Sequence, residues 1–313
     1  MRGWLKQKLY AGLNCSILHI VMANIGIVGW GVVGRAVGQG YETRKENKVR
    51  WYSKSEGPFT PDEVVSESEF LFVCVPTPMF SDHSGIDLSI VKEVVDFIAP
   101  KIEGTDKILT IKSTVVPGTT FSFKKKYPNV HFAMNPEFLT EANALGDFLK
   151  PDRTVIGAFT QSVSARLAGL YQDLYGPGSK IFLTDPTTAE MVKYMSNAHL
   201  ANKVIFANEM YDLCTALGIK YEEVKDMVAA DPRIGPSHLN VTTVRGFGGK
   251  CFPKDLVALM GFAKDVKVDH SLLKTVWEKN LRIRKIRDWE EIKGAVNKKS
   301  GNKTKTSRKA KES

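Results

Sequence analysis

The sequence predicts an α/β protein, a doubly wound sheet followed by a long-helix, mainly α domain, and three observations predict it. Runs such as residues 70–75 are apolar at every position, as parallel strands buried on both faces are. These runs alternate with segments of helical periodicity such as residues 90–98, the order that packs helices on a sheet through right-handed crossovers. Residues 187–217 contain neither Gly nor Pro and carry apolar residues at helical spacing. A helix of that length reaches roughly 45 Å, enough to tie two domains or two subunits together. The full chain has 313 residues, the size of roughly two domains.

Taken in order, the first strand, 24–28, runs into Gly29, Gly31 and Gly34 with G-x-G-x-x-G spacing, and Ala36 and Gly38 follow on an opening helix. Gly29 allows the tight turn, Gly31 lets backbone N–H groups approach a pyrophosphate, and Gly34 lets helix and strand pack closely, which together make a Rossmann-type loop. Further strands are expected at 49–53, 70–75, 107–113, 129–134, 154–157 and 181–183, with helices at 90–98 and 162–174. The long helix stops at Gly218, a C-cap signal. A helix at 221–230, a Gly-rich loop at 246–255 and a basic amphipathic helix at 271–289 complete the chain. The expected organisation is an N-terminal extension (1–21), a dinucleotide-binding domain (22–184), a helical, dimerising domain (185–291) and a basic disordered tail (292–313).

Composition excludes several classes. With 43% hydrophobic and 25% charged residues, the chain is neither disordered nor collagenous. Its net charge of +10 sits at the ends. Arg2, Lys6 and Lys8 give +3, and eight basic residues against Glu312 give +7 from residue 292 onward, leaving 33 basic and 33 acidic residues in 22–291. A neutral body argues against a folded surface that grips nucleic acid. The four cysteines, Cys15, Cys74, Cys214 and Cys251, lack metal-ligand spacing and suit a reducing compartment, the cytoplasm. Cys74 and Cys214 read as core. No run of about 20 apolar residues spans a membrane. Residues 1–22 have the basic-then-apolar look of a secretory signal, yet the apolar run continues into the first strand, and Met22 is a natural start for a nucleotide-binding domain.

Four further segments carry chemistry: Lys112 to Thr119 at a strand end, Asn135-Pro136-Glu137-Phe138-Leu139 with Glu141 at another, Lys193 and Asn197 one turn apart on the long helix, and Gly248 to Asp255 around Cys251. Ligands of open α/β sheets bind outside the carboxyl ends of the strands, where the first two sit. The ordered set IGIVGWGVVG, VPTP, STVVPGT, NPEFLTEA, DFLKPDRTVIG, EMVKYMSNA, DPRIG and GFGGKCFPKD resembles the UDP-glucose 6-dehydrogenase and GDP-mannose dehydrogenase family from about Asn24 to about Arg287.

The resemblance implies a four-electron oxidation of UDP-glucose, or a related nucleotide sugar, from the C6 alcohol to the carboxylate with two NAD reduced. Cys251 would attack the aldehyde as thiolate, favoured by Lys250 and Lys254, giving a thiohemiacetal and then a thioester. Lys193 and Asn197 would face the developing oxyanions, Asp255 would activate water or take the alcohol proton, and Glu137 would act in thioester hydrolysis with Thr114 positioning water. The resemblance puts Gly29, Gly31, Val32, Val33, Gly34, Ser53, Lys54, Pro76, Thr77, Thr114, Glu141 and Lys254 on the dinucleotide. It puts Glu137, Phe138, Leu139, Lys193, Asn197, Arg233, Asn240 and Gly248 on the sugar donor, and implies no metal. Three departures stand out. The second strand ends in Ser53-Lys54 instead of an acid, which opens NADP as an alternative to NAD. Only 41 residues separate Gly34 from Pro76, so one strand and helix are expected to be trimmed. The chain stops soon after Trp289, before the family's further α/β domain. The alternatives are a two-electron hydroxyacid dehydrogenase of the 6-phosphogluconate type, which needs no cysteine, and a truncated dinucleotide-binding pseudoenzyme or partner subunit.

Overall fold

A computed structural model describes residues 22–297. The extension 1–21 and most of the expected tail, 298–313, lie outside the described residues. The chain divides into two compact units, one made of residues 22–77 and 88–193, the other of residues 78–87 and 194–297.

In chain order the elements of the first unit are β1 (Asn24–Val28), α1 (Val32–Glu42), β2 (Lys48–Tyr52), α2 (Pro61–Ser66) and β3 (Phe70–Val73). After a departure into the second unit that forms β4 (Met79–Phe80), the chain returns as α3 (Ser89–Ile102), β5 (Ile108–Ile111), α4 (Thr119–Lys126), β6 (His131–Met134), α5 (Ala144–Leu149), β7 (Thr154–Ala158), α6 (Gln161–Tyr175) and β8 (Ile181–Thr184). The helix α7 (Pro186–Ala216) starts in the first unit, and α8 (Tyr221–Ala229), α9 (Cys251–Asp265), α10 (Ser271–Ile283) and β9 (Val296–Asn297) belong to the second.

Seven strands form one sheet in the order β2-β1-β3-β5-β6-β7-β8. From β1 the chain goes to β2 on one side and to β3 on the other, so the glycine loop after β1 opens at the point where the strand order reverses. Both faces are covered, as the apolar runs require. Phe70 and Phe72 face a core with Ile25, Ile27, Val37 and Leu167, while Leu71 and Val73 face a second core with Val91, Val95, Leu109 and Phe123.

The sheet departs from full parallelism at one place, where β7 runs antiparallel to β6, pairing Ala133 with Ala158 and Met134 with Gly157. An antiparallel neighbour must start at the edge where the preceding strand ended, so residues 135–153 cross the carboxyl edge of the sheet, where the ligand side lies. Between Gly34 and Pro76 the chain fits β2 and a six-residue α2, started by a reciprocal Thr60–Glu63 capping box.

The two compact units divide within α7, after Lys193, so the first turns of α7 pack with the sheet unit. Ala189 of α7 belongs to the second of these cores, and the Glu190 carboxylate accepts from Gly118 N (2.5 Å), Thr120 N (2.8 Å) and Thr120 Oγ1 (2.7 Å) at the start of α4. The loop expected to run to Asp255 ends at Cys251, where α9 begins, and the last helix ends at Ile283 rather than 289. The expected disordered tail is ordered over its first six residues, because β9 pairs with β4 in parallel and Asn297 Nδ2 donates to Asp87 Oδ2 at 2.5 Å.

Candidate active site

The glycine loop needs its glycines for the reasons read from the sequence. Gly29 adopts φ +104°, and a Cβ there would lie 2.7 Å from the Cys74 carbonyl. A Cβ on Gly34 would lie 1.9 Å from Gly29 O. Beside Gly31, the N-cap of α1, nothing comes within 4 Å of an added Cβ, and no side chain caps the helix. That leaves an open cradle with unspent backbone N–H donors, which fits a dinucleotide pyrophosphate. Val32 is exposed and Val33 half-buried beside it, while Thr77 and Thr114 are buried at the ends of neighbouring strands and Pro76 is exposed.

The second-strand terminus is occupied differently from its sequence reading. The Ser53 hydroxyl is spent on a turn, donating to Glu56 O at 2.9 Å and accepting from Glu56 N at 3.2 Å. Lys54 reaches Glu93 at 3.0 Å.

At the carboxyl edge of the first unit, Glu137, Phe138 and Leu139 line a cavity of about 290 Å³ together with Lys112, Asn135 and Tyr171. Glu137 Oε1 lies 3.0 Å from Lys193 Nζ, and Oε2 accepts from Leu139 N at 2.8 Å. Burial opposes charge on Glu137, but the Lys193 ammonium and the Leu139 N–H outweigh it and hold the carboxyl below its ordinary value. Lys193 also lies 5.7 Å from the Phe138 ring, whose face Arg153 covers at 4.0 Å. Beneath them the buried Lys112 donates to Asn135 Oδ1 at 2.7 Å, and burial pulls its ammonium down to about 8. Glu141 is exposed, at the start of a 3₁₀ turn.

In the second unit, Cys251 is half-buried in the first turn of α9, and Asp255 stands one turn later with 1% of its surface exposed. Both Asp255 oxygens are held: Oδ2 accepts from Asn197 Nδ2 at 2.5 Å, and Oδ1 pairs with the Lys254 ammonium. Lys254 is thus committed to Asp255, a partner the sequence reading, which set it beside the thiol and the cofactor, did not give it. Asn197 follows Lys193 by one turn of α7.

The loop before Cys251 is bolted from behind by residues the sequence reading missed. Asn280, fully buried, accepts from Phe247 N at 2.8 Å and donates to Phe247 O at 3.0 Å. Asn208 Oδ1 accepts from Gly246 N at 3.2 Å and Arg245 Nε at 2.7 Å, and Asp288 accepts from Gly249 N at 3.0 Å and from Arg284 at 3.1 Å. Gly248 has no room for a side chain, since a Cβ would meet Arg284 Nη2 at 2.1 Å. The only sequence signal for these partners was polar residues placed on helices that otherwise read as solvated. Arg233 and Asn240, the other expected sugar-side residues, are exposed and engaged by Asp231 (2.6 Å) and Lys225 (3.0 Å). Among the described residues no group of three or more His, Cys, Asp or Glu is placed to hold a metal, and no helix is long and apolar enough to cross a membrane. Cys74 and Cys214 are both buried, and burial pushes the Cys74 thiol up to about 12.

Residues 52–175 match the NAD binding domain of the UDP-glucose/GDP-mannose dehydrogenase family, and residues 187–282 match its central domain. The first match begins past the glycine loop, whose cradle is therefore an independent observation. The UDP-glucose 6-dehydrogenase of Rickettsia prowazekii is 39% identical over 214 residues, which is 67% of this chain and 48% of that protein. That of Rickettsia bellii is 40% identical over 224 residues, 70% of this chain and 50% of that protein. The chain thus spans about half the length of the curated relatives it matches. A solved UDP-glucose dehydrogenase from Pyrobaculum islandicum superposes with a TM-score of 0.75 at 29% identity, covering 87% of this chain and 70% of that one. With an NAD-binding domain and a central domain both matched in order on the fold described above, the chain belongs to the UDP-glucose/GDP-mannose dehydrogenase family.

Proposed function

We propose that this chain is an NAD-dependent nucleotide-sugar 6-dehydrogenase that oxidises the C6 alcohol of UDP-glucose, or a close relative of it, to the carboxylate. The observation that carries the reading is the buried Asn197–Asp255–Lys254 cluster one turn past Cys251 on α9. A surface cysteine has no use for it, whereas a nucleophile whose oxygen-bearing adducts need donors and a proton acceptor does. NAD, when bound, accepts a hydride in each of two oxidation steps. The protein's part begins with a base, Asp255, that takes the alcohol proton as the C6 hydride leaves. The Cys251 thiolate then adds to the aldehyde carbon, and the first turn of a helix stabilises negative charge on its sulfur. Loss of the second hydride leaves a thioester, and water attack, assisted by the ionised Glu137, releases the carboxylic acid and restores the thiol. Lys193 holds Glu137 charged, and Asn197 offers an amide donor.

The same reading makes the protein a cytoplasmic homodimer. Met195, Phe206 and Leu213 of α7 are exposed, an apolar set along a helix that suits a second copy.

The test is the purified chain with UDP-glucose, GDP-mannose or UDP-N-acetylmannosamine and NAD or NADP, scored for two reduced cofactors per sugar. Cys251→Ser should lower carboxylate formation at least about a thousandfold. One reduced cofactor per substrate, with full turnover in Cys251→Ser, would establish a two-electron dehydrogenase instead. Dinucleotide binding without turnover of any sugar would establish a pseudoenzyme.

A further inference from the structure

We propose that Glu56, and neither Ser53 nor Lys54, reads the adenosine ribose of the dinucleotide and makes this chain select NAD against NADP. In dinucleotide-binding folds a carboxylate about 20 residues past the glycine loop accepts from the ribose 2′-hydroxyl, and a nearby arginine accommodates a 2′-phosphate. The end of β2 carries Ser53-Lys54 where that carboxylate is expected. The structure supplies one from the turn that follows. Ser53 N (3.2 Å) and Ser53 Oγ (2.9 Å) both donate to Glu56 O, and Ser53 Oγ accepts from Glu56 N. This closed turn swings Glu56, 22 positions after Gly34, back toward α1, where its Oε1 pairs with the Arg35 guanidinium. Arg35 Nε in turn donates to Trp30 O at 3.1 Å, inside the glycine loop. One guanidinium therefore links the Glu56 carboxylate to the loop that would cradle the pyrophosphate.

The cations that would favour a 2′-phosphate are already committed. Arg35 is paired with Glu56, and Lys54 lies 3.0 Å from Glu93. A phosphate dianion would have to displace both carboxylates and sit against Glu56. Ribose hydroxyls need only donate to the lone pairs that Arg35 leaves on that carboxylate. Half of the Glu56 side chain is exposed, so a ligand can reach it and substitution spares the core.

The inference rests on the glycine loop's holding NAD, and calorimetry separates the two. The full-length protein should bind NAD at least about tenfold more tightly than NADP. Glu56→Gln should weaken NAD about tenfold and strengthen NADP, because Arg35 is released to meet the 2′-phosphate, with an unchanged melting temperature. NAD affinity unaltered in Glu56→Gln, or a wild type that binds NADP as tightly as NAD, overturns the assignment of Glu56 alone. A wild type that binds neither dinucleotide overturns it together with the cofactor reading.

Discussion

Glu137 and Lys193 form a pair whose worth depends on both members. Removing one partner of a buried pair leaves an uncompensated charge, at a cost of about 3–5 kcal/mol. Lys193→Met should therefore lose about 3 kcal/mol of stability in urea unfolding at pH 7. The pH dependence should also change sign. Because Lys193 holds Glu137 below its ordinary value of 4.5, its contribution is present above that pH and is lost as pH falls below it. Without Lys193 burial prevails, Glu137 is pushed up, and stability should instead fall as pH rises. Asn280→Ala should cost about 2 kcal/mol by orphaning the Phe247 N–H and carbonyl, and should speed alkylation of Cys251 several-fold by loosening its loop. A melting curve and a timed iodoacetamide reaction check both effects. Cys251, Asp255, Asn197 and Lys193 stand out as candidates in the sequence because each sits in a spaced pattern. Asn280 and Asn208 were not, since one asparagine on a helix carries no pattern until the loop it holds is known.

Among the elements, α4 is fixed by a carboxylate from elsewhere in its unit. Glu190 satisfies the first N–H groups of a helix that has no side-chain cap of its own, and burial pushes its carboxyl up to about 7. A folded-state value above the unfolded 4.5 means that the folded protein binds more protons between those two values. Stability from this group should thus fall as pH rises from about 4.5 to about 7. Glu190→Gln should flatten that fall, as thermal melts at pH 5 and pH 7.5 will report. In the glycine loop, Gly34→Ala drives a methyl into Gly29 O and should abolish dinucleotide binding while lowering the melting temperature. The seven strands of the large sheet are legible in the sequence to within two residues at either end, most clearly where a strand buried on both faces is apolar throughout, as β3 is. The start of α9 reads as loop in the sequence because Gly246, Gly248, Gly249 and Pro253 all point that way. Pro253, however, stands in the first turn, where a missing N–H costs nothing.

For the whole molecule, the fold class and the order of the two units were legible because periodicity changes from strand-and-helix alternation to one long helix. The excursion of residues 78–87 into the second unit was not, since a two-residue strand has no periodicity and its partner is distant. Dimerisation through α7 predicts a sedimentation mass twice that of the chain, and a Phe206→Asp, Leu213→Asp double variant should sediment as a monomer with unchanged melting temperature. The β4–β9 pairing has a temporal consequence. Asp87 and Asn297 are 210 positions apart, and a ribosome adds about 5–20 residues per second. During translation β4 therefore waits roughly 10–40 s for the strand that completes its sheet. Over that interval the hydrogen-bonding edge that β9 later covers stays open for a time set by synthesis, not by folding.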